Sequence, residues 1–139
     1  MIVLDTDVLS ALARETPEQV VRQWLDDQPR SSVWTTAITV FQVRFGLALM
    51  PSSRRRGRLQ EAFEASVEED LEGRVLPFDE RAAEETAILM ARRRQAGRSV
   101  ELRDTMIAGI AITHRATLAT RNTRHFSDLP IPVVDPWTA

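Results

Sequence analysis

Four positions spread along the chain carry oxygen-bearing side chains that could be gathered into one reactive site: Asp5, Gln42, Asp104 and Asn122. Asp5 follows Met-Ile-Val-Leu, an apolar run without polar alternation. Such a run predicts a short strand buried on both faces of a parallel sheet. The carboxyl ends of strands in open α/β sheets border the ligand crevice, which makes Asp5 the first candidate for chemistry. Asp104 opens the predicted helix Asp-Thr-Met-Ile-Ala-Gly-Ile-Ala. Gln42 falls in the first turn of the helix predicted after a second strand, and Asn122 follows the strand Leu-Ala-Thr. Brought together, the acids would repel one another in low dielectric and call for a compensating cation. Oxygen donors without thiolates suit a hard ion, Mg²⁺ or Mn²⁺. Such an ion activates water and stabilises charge on a phosphoryl group during in-line displacement. The set therefore points to metal-assisted phosphodiester hydrolysis. Each residue also has a purely structural reading. Asp5 or Asp7 can cap a helix, Asp104 suits a helix start, and Asn122 tolerates a tight turn.

The elements expected to position these residues alternate between strand and helix. After the first strand, Val8 to Arg14 reads as a short helix capped by Thr6 or Asp7. A second helix starts at Thr16-Pro17, with Thr16 as its cap and Pro17 in its first position. Ser32 to Thr36 is rich in β-formers and reads as the second strand, with Thr39 as cap of the next helix. A long helix is expected from Arg54 to Leu71, with Leu59, Phe63 and Val67 on one face. Arg74 to Phe78 reads as a third strand, followed by a helix capped by Asp79 and running to Gly97. A further helix spans Asp104 to Arg115. The strand Thr117 to Thr120, a turn at Arg121-Asn122-Thr123 and a last strand from Ile131 to Val134 complete the pattern. This alternation predicts a three-layer α/β/α domain with a central, mainly parallel sheet, one domain spanning residues 1–139.

Composition narrows the chemistry further. The 139 residues carry a formal net charge of -2, and all 18 basic residues are arginine. Without Lys there is no Schiff-base or phosphate-loop lysine. Without Cys there is no thiol catalysis, disulfide or thiolate metal site. The cytoplasm is the expected location: no apolar stretch approaches the roughly 20 residues of a membrane span, and no basic segment precedes the first strand.

Four motifs in order then resemble one family. Met1-Ile-Val-Leu-Asp-Thr-Asp-Val-Leu-Ser10 resembles the start of PIN-domain ribonucleases, the toxin halves of bacterial VapBC-type toxin–antitoxin pairs. Ala37 to Leu47, Asp104 to Ala111 and Leu118 to Phe126 look like the second, third and fourth motifs of that family, and the ending Val133-Val-Asp-Pro-Trp137 is similar to its FitB branch. The resemblance implies a Mg²⁺- or Mn²⁺-dependent endoribonuclease with catalytic positions at Asp5, Gln42, Asp104 and Asn122, of which Asp5, Asp104 and Asn122 hold the ion. It further implies a cognate VapB-like antitoxin, operator DNA bound only through that antitoxin, and a homodimer or a hetero-oligomer with the antitoxin. Two positions depart from the family pattern. Position 42 is normally Glu; position 122 is Asp or Asn among relatives, so Asn122 is only a mild departure. Gln at 42 keeps an acceptor oxygen but loses the charge and cannot act as a base. The departure implies an attenuated or inactive enzyme. A chain that has lost catalysis and only binds its antitoxin is the rival reading.

Thr6, Arg44, Thr120 and Arg121 flank these motifs and are the expected RNA contacts. The clusters Arg54-Arg55-Arg56-Arg58 and Arg92-Arg93-Arg94 read either as solvated helix surface or as phosphate contacts. Phe41, Phe45 and Leu49 read as core, or as part of a groove for an amphipathic antitoxin helix.

Overall fold

A computed structural model of the chain describes residues 1–139. Five strands, β1 (Ile2–Leu4), β2 (Val33–Thr36), β3 (Val75–Leu76), β4 (Thr117–Ala119) and β5 (Val133–Val134), form one sheet in the order β3-β2-β1-β4-β5. Every pairing is parallel. Six α-helices cover it: α1 (Thr6–Leu12), α2 (Gln19–Asp26), α3 (Ala37–Leu49), α4 (Arg54–Ala65), α5 (Glu80–Gln95) and α6 (Leu102–Thr113). The expected three-layer α/β/α architecture is the one observed.

The apolar run at the amino terminus does what its composition demands. Val3 and Leu4 are both fully buried and point to opposite faces of the sheet. Val3 joins a core with Leu89, Ile107, Ile110, Leu118 and Phe126, beneath α5 and α6. Leu4 joins a second core with Val8, Leu12, Trp24 and Phe63, beneath α1, α2 and α4. Alternation along an extended strand splits neighbours between two faces, and only a central strand has a core on each.

Three helices begin earlier than the sequence suggested, for one reason. In each case the residue before the helix has a side-chain oxygen that accepts the third amide of the first turn. Asp5 Oδ1 accepts from Val8 N–H at 3.0 Å, so Asp5, not Thr6 or Asp7, caps α1. Thr36 Oγ1 accepts from Thr39 N–H at 3.1 Å, which places Thr39 inside the first turn of α3 and Gln42 in the second. Glu101 Oε2 accepts from Asp104 N–H at 2.6 Å, so Asp104 is the third residue of α6 and does not open it. The strands β1 and β2 thus pass directly into helices. Conversely, α2 starts only at Gln19, because Glu18 is extended and its N–H bonds back to Ala11 O at 3.3 Å. Asp79 caps α5 as expected, accepting from Ala82 N–H at 3.0 Å. The long helix ends at Ala65 and is continued by a single π-helical turn, Ser66–Asp70, which carries the chain to the buried Leu71.

Two surface readings are also revised. Arg93 lies one turn after Leu89 on the buried face of α5 and is only 4% exposed. Its guanidinium donates to Asp128 Oδ2 at 2.9 Å, to Thr105 Oγ1 at 3.2 Å and to His125 O at 2.6 Å. It is an internal strut between α5, α6 and the segment after β4, not a phosphate contact. Phe41, Phe45 and Leu49, by contrast, are 55%, 47% and 71% exposed and form an open apolar stripe on α3.

The helices α5 and α6 cross at Gly109. A β-carbon there would meet Thr86 Oγ1 at 2.0 Å and Ala82 O at 2.9 Å. Gly109→Ala should therefore destabilise the fold by about 1–3 kcal/mol, the usual cost of overpacking, with chemical denaturation as the measurement. An unchanged midpoint would mean that the two helices separate freely.

Candidate functional site

In the order β3-β2-β1-β4-β5, the chain leaves β1 toward one edge of the sheet and leaves β4 toward the other. The carboxyl ends of β1 and β4 therefore flank the topological switch point, where open α/β sheets form a crevice. Asp5 leaves β1 there, with its backbone N–H bonded to Ala119 O of β4 at 3.0 Å. Thr120 leaves β4 beside it. Because α6 runs back across the sheet to feed β4, its amino-terminal turn brings Asp104 to the same edge.

Asp5 is 5% exposed. Burial pushes its carboxyl up to about 7, and the charges of Asp7 and Asp104 push in the same direction. The Thr120 hydroxyl and the Val8 N–H oppose this by favouring the charged form. No basic side chain forms an ion pair with Asp5. Asp104 is half-buried, and its carboxyl is also raised, first by burial and then by the charge of Glu101; His125 and its proximity lower it. His125 Nδ1 lies 3.7 Å from Asp104 Oδ2.

Gln42 projects from α3 toward α1, where its Oε1 accepts a 2.5 Å hydrogen bond from Thr6 Oγ1. The Thr6 hydroxyl is also 3.3 Å from that of Thr39, which in turn meets Thr36 Oγ1 at 3.3 Å. A row of threonine hydroxyls thus ties α1 to the start of α3. Asn122 lies exposed just beyond β4; its N–H donates to Thr120 Oγ1 at 3.1 Å, and its side chain makes no hydrogen bond within the protein. Arg121 is stacked on the Trp137 ring, 4.6 Å from the ring centre. Arg44 is turned to α4, with its guanidinium 5.3 Å from the Phe63 ring centre and 3.9 Å from Glu64. Asp5, Thr6, Asp104 and Thr120 therefore converge, Gln42 joins them through Thr6, Asn122 and Arg121 stand at the rim, and Arg44 is directed elsewhere. Asp7 is exposed in the first turn of α1, near enough to raise both carboxyls.

His125 and Glu101 were not singled out from the sequence. A lone histidine after a strand carries no signal, and the capping role of Glu101 shows only as an acid three residues before Asp104.

Nowhere does the chain gather three or more His, Cys, Asp or Glu side chains in a metal-holding group. With amides at positions 42 and 122, the facing acids are Asp5 and Asp104. Two carboxylates with an amide oxygen nearby are nevertheless a fitting donor set for a small hard ion, which commonly takes one or two carboxylates and completes its shell with water.

The sign of the Asp5 effect on stability is definite. Its folded-state value near 7 lies above its ordinary 3.8, so the folded protein holds the proton more tightly than the unfolded chain. Stability from this source is complete below the ordinary value, falls as pH rises and is gone above about 7. Thermal melts in EDTA should show melting temperature decreasing between about pH 4 and pH 7, and Asp5→Asn, which keeps a capping oxygen, should flatten the decline. An equally steep decline in the variant would locate the titrating group elsewhere.

Comparison with known proteins shows the family. The model of the PIN domain family matches residues 2–132. The VapC ribonuclease Y4jK of Sinorhizobium fredii is 41% identical over 137 residues, covering 99% of this chain and 98% of that protein. The toxin FitB of Neisseria gonorrhoeae is 36% identical, covering 99% of each. The solved structure of FitAB bound to an IR36 DNA fragment superposes with a TM-score of 0.86 at 36% identity, over 99% of this chain and 96% of that one. With a family model covering nearly its whole length and relatives aligned end to end, this chain belongs to the PIN domain family.

Proposed function

We propose that the protein is a Mg²⁺- or Mn²⁺-dependent endoribonuclease toxin of a VapBC-type toxin–antitoxin pair, attenuated in this copy by Gln42. The observation that carries this reading is the buried Asp5 carboxylate, placed at the switch-point crevice with Asp104 facing it and no basic side chain to neutralise it. A protein that spends stability on an unpaired buried carboxylate has a partner for it outside its own side chains. Asp5, Asp104 and Asn122 would hold the divalent ion, which when bound supplies a more acidic water and neutralises charge on the phosphoryl group. The Thr120 hydroxyl and Val8 N–H keep the Asp5 carboxylate oriented. Thr6 and Arg121 face the RNA strand; Thr120, expected as an RNA contact, is fully buried and serves Asp5 instead, and Arg44 is paired with Glu64 on α4.

Gln42 occupies the place of a base without being able to take a proton. Its acceptor oxygen is already used by Thr6. A carboxylate there would accept the same hydroxyl with one oxygen and keep the other, with its charge, for the ion or a water.

The partner surfaces follow from what α3 leaves uncovered. A groove of about 450 Å³ runs from Thr6 and Gln42 along Val43, Leu47, Leu59 and Phe63, with Arg55 at its rim. It accepts an amphipathic antitoxin segment with an acidic edge, which would cover the approach to Thr6 and so silence the site. Operator DNA is bound through the antitoxin, in keeping with the DNA-bound FitAB relative. The stripe of Phe41, Phe45 and Leu49 is the seat of a homodimer contact. No helix is long and apolar enough to cross a membrane, and the cytoplasm is the proposed place of action.

The test is RNA cleavage with Mn²⁺ or Mg²⁺ by the native chain, by Gln42→Glu, and by Gln42→Glu carrying Asp5→Asn. Restoring the carboxylate should raise the rate by about 10²–10⁴-fold, the usual worth of a positioned base, and the added Asp5→Asn should abolish it. A native chain that cuts as fast as Gln42→Glu overturns the role given to position 42. Absence of cleavage by all three favours the rival reading, a binding module that acts only with its antitoxin, for which the amide at position 42 is the supporting observation.

A further inference from the structure

The Arg121 guanidinium is held by an aromatic ring and not by a carboxylate. Arg14, Arg44, Arg58 and Arg93 each face a carboxylate. Arg121 forms no ion pair, and its Cζ lies 4.6 Å above the centre of the Trp137 ring. The distinction has a chemical consequence. An acid that fixes a guanidinium also cancels its charge, whereas an aromatic face fixes the plane and leaves the charge and the N–H edge free for a phosphate.

Trp137 is itself fixed. Its backbone N–H donates to Asp135 Oδ1 at 2.8 Å, its indole N–H donates to Glu18, and its ring packs on the core that contains Leu4. The tail that carries it is registered to β4 through Leu118 paired with Val133 and through Thr120 N–H donating to Val134 O at 2.9 Å. Arg121 stands between Thr120, which faces Asp5, and the exposed Asn122. This segment therefore supplies a fixed neutral platform at the rim of the crevice, under Arg121.

We infer that Trp137 is a positioning residue for the nucleic acid: it holds the Arg121 guanidinium charged and oriented against an RNA backbone phosphate adjacent to the one at the Asp5–Asp104 crevice. This rests on the ribonuclease reading above, and it assigns a role in strand binding to a residue far from the four motifs.

The experiment is fluorescence anisotropy of a labelled single-stranded RNA oligonucleotide with the full chain in EDTA, where no cleavage intervenes, over a series of salt concentrations. Arg121→Gln should weaken binding by about 3- to 10-fold and reduce the slope of log affinity against log salt by about 0.7, the share of one phosphate contact on a single strand. Trp137→Leu should reproduce both effects, and Trp137→Phe, which keeps an aromatic face, should retain most of the affinity. Combining Arg121→Gln with Trp137→Leu should weaken binding no further than Arg121→Gln alone. Arg121→Lys, an exposed change that keeps the charge but not the planar stack, should bind below the native level; this arm holds even if Trp137→Leu fails to fold. The inference is overturned if Arg121→Lys equals the native chain, or if Trp137→Leu costs as much in the Arg121→Gln background as alone. Both results leave native RNA binding intact. A native chain that binds no RNA overturns the ribonuclease reading together with this one.

Discussion

A carboxylate is held in the interior at the carboxyl end of the central strand, and most of the structure around it can be understood as the means of keeping it there. Burial works against the charge of Asp5, as do Asp7 and Asp104. What opposes expulsion is local and rigid: a helix amide from Val8, a hydroxyl from Thr120 and a backbone bond to Ala119. Each is available only because β1 lies between β2 and β4, with α1 starting at the residue after Asp5. The all-parallel sheet and its two cores thus serve the placement of one acid at a switch point.

Position 42 changes the electrostatics of that arrangement without changing its shape. The Thr6–Gln42 hydrogen bond preserves the contact between α1 and α3 that a glutamate would also make. The amide lowers the negative charge available to a cation and also lowers the repulsion felt by Asp5. Under the proposed function, stability and catalysis pull in opposite directions at this residue, as is common where a site is built from like charges. The row of hydroxyls from Thr6, Thr39 and Thr36 makes the position tolerant, since a hydroxyl donates equally well to an amide or a carboxylate oxygen.

With 18 arginines and no lysine, the chain must also sort its positive charge. Arg93 is internal and bidentate to Asp128, whose carboxyl it holds below the usual range. Arg22 bridges Asp26 and Asp70 and ties α2 to the turn after α4. Others lie in exposed pairs worth little individually. Against this background, an arginine stacked on a neutral ring at the rim of the crevice keeps its whole charge for something outside the protein.

Much of this was legible in the residues themselves. The wholly apolar Met1–Leu4 run required a strand covered on both faces, and the acid ending it required an explanation beyond packing. Alternation of strand and helix led to the three-layer architecture, and the four ordered motifs led to the family. Helix starts were misplaced wherever a strand runs straight into a helix, because capping depends on a side-chain oxygen reaching an amide three residues on, and Asp5, Thr6 and Asp7 offer that oxygen equally well on paper. Burial was misjudged at Arg93 and Phe41 for a related reason: which face of a helix turns inward depends on the neighbour it packs against, not on its own composition. The sequence by itself determined the kinds of group available, namely hard oxygen donors, no thiol, no lysine and an amide at position 42. Only the tertiary structure decided which of them meet, since strand order brings Asp5 to Thr120, the reversal of α6 brings Asp104 to both, and the pairing of β5 with β4 seats Trp137 beneath Arg121.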